Sequence, residues 1–244
     1  MKKIGSGYSI VIISYNAKEY LQKLLSSLTI ISPQKVIIID NASTDGTQEW
    51  LANIQDITVI LNKTNVGYAA GCNQGAKLCN SEIIGFLNMD TEFVEDIEPM
   101  IECLSFRDDV SVIGPKQVNE NNEIVAAPSI GFTGAYEFWK EKDEGQADFI
   151  KESDYISGSA FFTKKKIWEE LGGFLETPLY CEDSFFCWHA TTKGYKSVYY
   201  GLVKMKHYWR KSPITAQERA IKRKIAGEMV KQECKKRGIL CPIN

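Results

Sequence analysis

Apolar residues along the first 90 positions fall into two alternating rhythms. Residues 9–14 (Ser-Ile-Val-Ile-Ile-Ser), 36–39 (Val-Ile-Ile-Ile), 57–61 and 83–87 are short β-branched or apolar runs bounded by polar groups, each of strand length. Nothing polar alternates within 36–39, so that strand is expected to be buried on both faces. Between the runs, Leu21, Leu24, Leu25 and Leu28 recur on one helical face, and Asn16 stands three residues before Glu19 as a capping-box start. A short helix is expected around 48–51, and a helix of small residues over 68–79 that packs closely despite Gly71 and Gly75. Repeated strand–helix alternation predicts βαβ units and a mostly parallel, Rossmann-like sheet with right-handed crossovers.

The pattern loosens after Asp90. A helix near 97–104, a strand over 110–114 and a polar hairpin tip at 119–123 are expected. Residues 126–153, with Pro128, Gly131, Gly134 and a charged run at 140–144, read as a mobile loop or lid. A kinked strand over 155–162, a helix at 168–171 stopped by Gly172-Gly173, a helix from Glu182 to about Ala190 and a last strand over 197–203 complete the expected elements.

In an open parallel sheet, ligands sit beyond the carboxyl ends of the strands. Here those ends carry Ser14-Tyr15-Asn16, Asp40-Asn41, the 62–67 loop and Asn88-Met89-Asp90, one polar rim. There is no G-x-G-x-x-G after the first strand, no P-loop and no G-x-S-x-G elbow, and the chain has 2 histidines, His189 and His207. Carboxylates on a strand-end rim are what remains. Asp40 reads either as a ligand to a base or ribose or as a helix cap. Asp90 reads as a divalent-cation ligand or a turn residue. The Glu182-Asp183 pair reads as a proton acceptor or as a complement to a helix dipole, and His207 as a metal ligand or a core histidine.

Taken in order, Ser14-Tyr15-Asn16, Asp40-Asn41-Ala42-Ser43-Thr44-Asp45-Gly46-Thr47, Asn65-Val66-Gly67 with Asn73-Gln74-Gly75, Leu87-Asn88-Met89-Asp90, Gly172-Gly173-Phe174, Glu182-Asp183, Gly194-Tyr195 and His207 resemble glycosyltransferase family 2. The nearest subset is the bacterial rhamnosyltransferase-like members, and the resemblance runs over about residues 8–212. It implies a GT-A fold of the α/β class, a mostly parallel central sheet flanked by helices. A nucleotide-sugar half would span about 8–90, and a mixed acceptor half about 91–212.

The resemblance also implies roles. Asp40 would hold the nucleobase or ribose, with Ser14, Tyr15, Asn16, Asn65, Gly67 and Asn73 around the same pocket. Asn88 and Asp90 stand at the family's D-x-D element, with Asp90 the metal-binding carboxylate and His207 a late metal or diphosphate ligand. Asn88 replaces the first acid of that element, so fewer carboxylates share the charge of Mn2+ or Mg2+. Gly158 and Ser159 would contact donor sugar or acceptor, Asp183 would be the catalytic base and Glu182 its support. The implied reaction is inverting transfer from a UDP-, dTDP- or GDP-linked sugar to an acceptor hydroxyl, in bacterial cell-surface polysaccharide or glycoconjugate synthesis. A nucleotidyltransferase, or a sugar-nucleotide-binding protein without activity, is the competing reading.

Charge adds one feature. The chain is balanced overall, 29 Lys+Arg against 31 Asp+Glu, yet residues 204–237 hold 12 basic and 3 acidic residues. Within 213–244, Ile221, Ile225 and Met229 recur every four positions among Lys/Arg, an amphipathic basic helix that reads as docked on the domain or as bound to an anionic membrane face. The second reading fits a lipid-linked oligosaccharide acceptor; no nucleic-acid motif accompanies the basic residues. Seven Cys without a C-x-x-C pair and the short Lys2-Lys3 start give no disulfide framework or secretory leader, so a cytoplasmic chain, peripheral on the inner membrane face if the tail binds lipid, is expected.

Overall fold

The computed structural model describes residues 7–132, 135–209 and 214–242. The Lys2-Lys3 start, Gly134 of the expected lid, and Arg210 and Lys211 of the basic stretch lie outside them. All seven residues of strand β1 (Tyr8–Ser14) are buried. Val11 and Ile13 pack on one side with Ile37, Ile39 and Phe86, whereas Ile10 and Ile12 pack on the other with Ile38 and Leu87. That two-residue alternation between two covered faces is why the first runs carry no polar positions.

Helix α1 (Lys18–Ser27), strand β2 (Lys35–Asp40), helix α2 (Thr47–Leu51), strand β3 (Thr58–Leu61), helix α3 (Tyr68–Ala76) and strand β4 (Ile83–Asn88) follow. β1 lies between β2 and β4 and is parallel to both, with β3 parallel beyond β2. Leu21 and Leu24 of α1 are fully buried, as the leucine spacing predicts. The capping box expected at Asn16 does not form: Ala17 is the N-cap, and Asn16, at φ 48°, accepts the Thr44 amide at 2.7 Å instead. A competing turn has taken the side chain that would have capped the helix. α3 sits close on β1 because it is glycine-faced; a Cβ at Gly75 would overlap the Val11 side chain.

The chain then adds β5 (Thr91–Phe93), α4 (Glu98–Phe106), β6 (Val110–Val118), β7 (Ile124–Ala126), β8 (Ser129–Ile130), β9 (Ala135–Tyr136), β10 (Ile150–Ser153), β11 (Ala160–Lys164), α5 (Lys165–Leu171), α6 (Glu182–Thr192) and β12 (Lys196–His207). β11 is antiparallel to both β4 and β6, and β12 runs parallel to β6. The sheet order is β10-β12-β6-β11-β4-β1-β2-β3, with β5 on β12 and β7 on β6. One sheet therefore spans both halves, parallel on the amino-terminal side and mixed on the other.

Two expectations are corrected here. The strand expected from residue 155 begins only at Ala160, because 155–159 form an irregular segment and a turn ahead of it. The segment read as a mobile lid contains β8 and β9 and is pinned. The Lys140 amide donates to the Ile124 carbonyl and the Ile124 amide to Glu141, each at 2.8 Å. Its charges are used inward: buried Lys116 pairs with Asp143 at 2.8 Å and with Asp148, and Lys204 reaches Asp143 at 3.5 Å.

The basic tail forms helix α7 (Ala216–Arg237), opened by a Thr215–Glu218 capping box. Its buried row is Ala226, Val230 and Cys234, of which Val230 and Cys234 pack with Phe185 of α6. Ile221 and Ile225, the row singled out from sequence, are 54% and 47% exposed. Both rows have four-residue spacing; Val230 and Cys234 meet the ring of Phe185, and spacing alone does not choose between the rows.

Candidate functional site

The amino-terminal part of the rim is a web of amide and carboxylate contacts. Ser14 and Asp40 end neighbouring strands in register, and both are fully buried. The Asp40 carboxylate accepts the Ser43 amide at 2.9 Å, the Ser43 hydroxyl at 2.6 Å and the Gln48 side-chain amide at 2.8 Å. A direct contact with a base needs an accessible carboxylate; here Asp40 faces inward and shapes the 41–46 turn. Ser43 also receives the Asn16 amide at 2.9 Å, so Tyr15-Asn16 and the turn are locked together. The Asn41 side chain donates to the Gly67 carbonyl at 3.1 Å, and Asn65 accepts the Gly67 amide at 2.9 Å. Gly67, at φ 88°, is the N-cap of α3 and needs that left-handed geometry. Asn73 points elsewhere: its carboxamide binds Phe174 from both ends, donating at 2.9 Å and accepting at 3.0 Å, and thereby holds the Gly172-Gly173-Phe174 turn.

Beyond β4, Asp90 and His207 come together from different ends of the chain because β5 pairs with the end of β12, Thr91 opposite His207. His207 Nε2 lies 3.5 Å from Asp90 Oδ1, with both residues buried. The Tyr208 amide donates to the Asp90 carbonyl at 2.8 Å and fixes the register. A hard carboxylate oxygen beside an imidazole nitrogen suits Mn2+ or Mg2+. No cluster of three or more His, Cys, Asp or Glu ligands occurs among the described residues, so this pair would be completed by ligand oxygens and water.

The other carboxylates stand at the start of α6. Tyr180 and Cys181, at φ 66° and 69°, turn the chain sharply into the helix. Asp183 Oδ2 accepts the Gly158 amide at 2.8 Å and its Oδ1 the Ser184 amide at 2.7 Å. Glu182 is buried, and its best partner is the Thr177 hydroxyl at 3.4 Å. Burial, and then the neighbouring charge of Asp183, push Glu182 up to about 8. Burial also raises Asp183, against the two amides that favour its ionised form. The pair cannot readily carry two charges, and the amides place the single charge on Asp183 while Glu182 keeps the proton.

Gly158 and Ser159 join the two clusters. The Asn88 amide donates to the Ser159 carbonyl at 3.1 Å, so the end of β4, two residues before Asp90, touches the loop that holds Asp183. A Cβ at Gly158 would stand 3.4 Å from both the Asp183 carboxylate and the Tyr68 ring, and the Tyr68 hydroxyl donates to the Gly158 carbonyl. The Ser159 hydroxyl donates to buried Gln117 at 2.7 Å. Tyr68, Gln117, Tyr136 and Tyr155 surround this centre without having been singled out from sequence. Tyr68 sits inside a recognised motif, but Gln117 and the two tyrosines lie in segments whose pattern carries no such signal.

The family described as Glycosyl transferase family 2 matches residues 9–171. The chain is 25% identical over 186 residues to the O-antigen chain rhamnosyltransferase WbaN of Salmonella anatum, covering 74% of this chain and 58% of that protein. It is 23% identical over 214 residues to the O-antigen chain rhamnosyltransferase RfbN of Salmonella typhimurium, covering 84% and 67% respectively. Among solved structures it resembles GalNAc-T7 with UDP, GalNAc and Mn2+, with a TM-score of 0.68 at 15% identity over 91% of this chain and 48% of that one. It also resembles the mannosyltransferase PcManGT of Pyrobaculum calidifontis in complex with GDP-Man and Mn2+, with a TM-score of 0.63 at 16% identity over 93% and 64%. These neighbours are GT-A glycosyltransferases, and the fold is theirs. With the family match covering well over half of its length, this chain belongs to glycosyl transferase family 2.

Proposed function

We propose that the chain is an inverting glycosyltransferase that moves a sugar from a nucleotide-diphosphate sugar to an acceptor hydroxyl. The observation that carries this reading is Asp183: a carboxylate at the start of α6, fixed by two backbone amides beside a buried Glu182 that retains its proton, and held by the Gly158–Ser159 loop that is tied to the end of β4, two residues before Asp90. Tyr15, Asn16, Asn65 and Gly67 line the nucleotide side, Ser14 and Asp40 hold that wall from behind, and Asn73 acts through the Gly172-Gly173-Phe174 turn that it holds. Asn88, Gly158 and Ser159 face the diphosphate and sugar, and Asp90 with His207 would hold the cation. A bound Mn2+ or Mg2+ supplies positive charge for the leaving diphosphate. Asp183 takes the proton of the acceptor hydroxyl as that oxygen bonds to the anomeric carbon. The bond from that carbon to the phosphate oxygen breaks, and its electron pair leaves with the nucleoside diphosphate. Attack opposite the leaving group inverts the centre, and general-base help of this kind is worth about 10²–10⁴-fold.

The relatives' names support rhamnose as the sugar and an O-antigen chain as the product; the acceptor in this reading is a lipid-linked oligosaccharide. The neighbours solved with UDP or GDP-Man and Mn2+ support a UDP- or GDP-linked donor with a divalent metal, and a dTDP-linked sugar is the further donor in this reading. No described helix is long and apolar enough to cross a membrane; the exposed basic face of α7 supports peripheral attachment at an anionic inner surface. Thermal-shift measurements with UDP-, GDP- and dTDP-sugars, with and without Mn2+, test the donor reading. One nucleotide series is expected to raise Tm, more strongly with Mn2+; no shift with any of them contradicts it.

A further inference from the structure

The two residues read as cation ligands sit at a weakly paired corner of the sheet. β6 accompanies β12 only as far as Lys206, opposite Val118, so at His207 the strand is paired on one side alone, with Thr91 of β5. β5 itself is well anchored. Phe93 is buried and its amide donates to the Ser27 hydroxyl at 3.0 Å, and the Thr91 hydroxyl donates to the Asn88 carbonyl at 2.8 Å. The end of β12 has no such anchor in the ladder, and a strand end paired on one edge frays unless side chains hold it.

Tyr208 supplies that hold, and the transfer chemistry above gives it no part. Its amide donates to the Asp90 carbonyl at 2.8 Å, and its hydroxyl donates to the Glu92 carboxylate. One residue is thus bonded to both sides of Thr91, and it closes Asp90-Thr91-Glu92 and His207-Tyr208 into a ring. These are the segments that bring His207 Nε2 to 3.5 Å from Asp90 Oδ1. Helix α1 backs the ring: Tyr20 packs on Tyr208 with centroids 5.2 Å apart at 53°. The Lys23 ammonium lies 4.9 Å from the Tyr208 centroid and 5.2 Å from that of Tyr20. A cation over two phenol faces is attractive and restrains both rings. The Glu92 side chain is 24% exposed, so its charge-assisted bond to the phenol is partly shielded from competing water.

We propose that Tyr208 is a positioning residue for the cation pair: its hydroxyl, bonded to Glu92, holds the end of β12 so that His207 stays against Asp90. This rests on the reading of Asp90 and His207 as cation ligands and adds the residue that keeps their two strands together. Groups that orient a metal ligand from outside commonly change metal affinity by about tenfold or more.

The test is Mn2+ binding to the full chain, followed by loss of the free-ion electron paramagnetic resonance signal in the presence of UDP, GDP or dTDP. Wild type is expected to bind Mn2+ saturably with one of these nucleotides, and Asp90→Asn to lose that binding. Tyr208→Phe, which keeps the ring and every charge, is expected to weaken Mn2+ about tenfold. Glu92→Ala is expected to match it, and Glu92→Gln, which keeps an acceptor oxygen for the phenol, to recover most of the affinity. Nucleotide affinity without metal is expected to be the same in all of these proteins, which shows that they are folded. Equal Mn2+ affinity in wild type and Tyr208→Phe overturns the positioning role and leaves the cation reading intact. Glu92→Gln no better than Glu92→Ala overturns it as well, since Glu92 would then act through its charge. Absence of Mn2+ binding in wild type, or binding that Asp90→Asn does not weaken, overturns the cation reading and the proposal with it.

Discussion

At the scale of single residues, the site depends on how two adjacent carboxyl groups divide one charge. Asp183 receives two amide hydrogen bonds and Glu182 only a long one from a hydroxyl, so ionisation is placed on the side chain that faces the Gly158 loop. This arrangement has a pH signature. Glu182 titrates near 8 in the folded protein but near 4.3 in an unfolded chain, so between those values the native state binds a proton that the unfolded state does not. Its contribution to stability is fully present below the unfolded value and is lost as pH rises toward 8. Calorimetric Tm is therefore expected to fall between about pH 5 and 8, and Glu182→Gln to flatten that decline; equal slopes in the two proteins contradict the assignment. The acidic pair and its place before a helix were legible in the sequence. Which member ionises was not, because the deciding donor is the amide of Gly158, 25 residues upstream. Asp40 and Asn73 show the converse: their positions in a motif are readable, but the direction of each side chain depends on Ser43 and Gln48 for Asp40, and on Phe174 for Asn73.

At the scale of elements, hydrophobic rhythm was enough wherever one face or both faces of an element meet a continuous core. The parallel strands and the glycine-faced α3 emerged as expected, since Gly71 and Gly75 mark the approach of that helix to Ile13 and Val11. The rhythm was misleading where buried charge replaces apolar contact. The 140–148 segment looks like a solvated loop, yet Asp143 and Asp148 neutralise Lys116, whose side chain is 4% exposed. The tail illustrates the limit of periodicity, because two rows of α7 share one spacing and only the packing partner chooses between them. The unchosen row has its own consequence. Ile221 and Ile225 remain exposed among Arg219, Lys222, Arg223 and Lys224, a surface suited to an anionic bilayer, with each basic residue near it worth about 1 kcal/mol. Co-sedimentation with liposomes containing phosphatidylglycerol is expected to exceed that with neutral liposomes, and Ile221→Asp with Ile225→Asp to abolish the excess. Equal partitioning onto both liposomes contradicts a membrane role and leaves α7 as a docked helix only.

For the whole molecule, the near-zero net charge conceals a division of labour. Outside residues 204–237 the chain holds 28 acidic and 17 basic residues, and the surplus of positive charge lies at one end. A single sheet joins the two halves, so that β4 ends beside the loop that positions Asp183, and β12 returns His207 to Asp90. The parallel half was readable from strand–helix alternation alone. The mixed half was not, because β11 and β12 enter the sheet between and beside strands distant in sequence, an arrangement set by long-range pairing rather than by local pattern.

Asp183 as the base is reached directly by one comparison: initial transfer rates for wild type and Asp183→Asn, with the affinity of both for the nucleoside diphosphate that stabilises the wild type. The expected result is a loss of about 10²–10⁴-fold in transfer with nucleotide affinity nearly unchanged. Transfer by Asp183→Asn within a few-fold of wild type would contradict it.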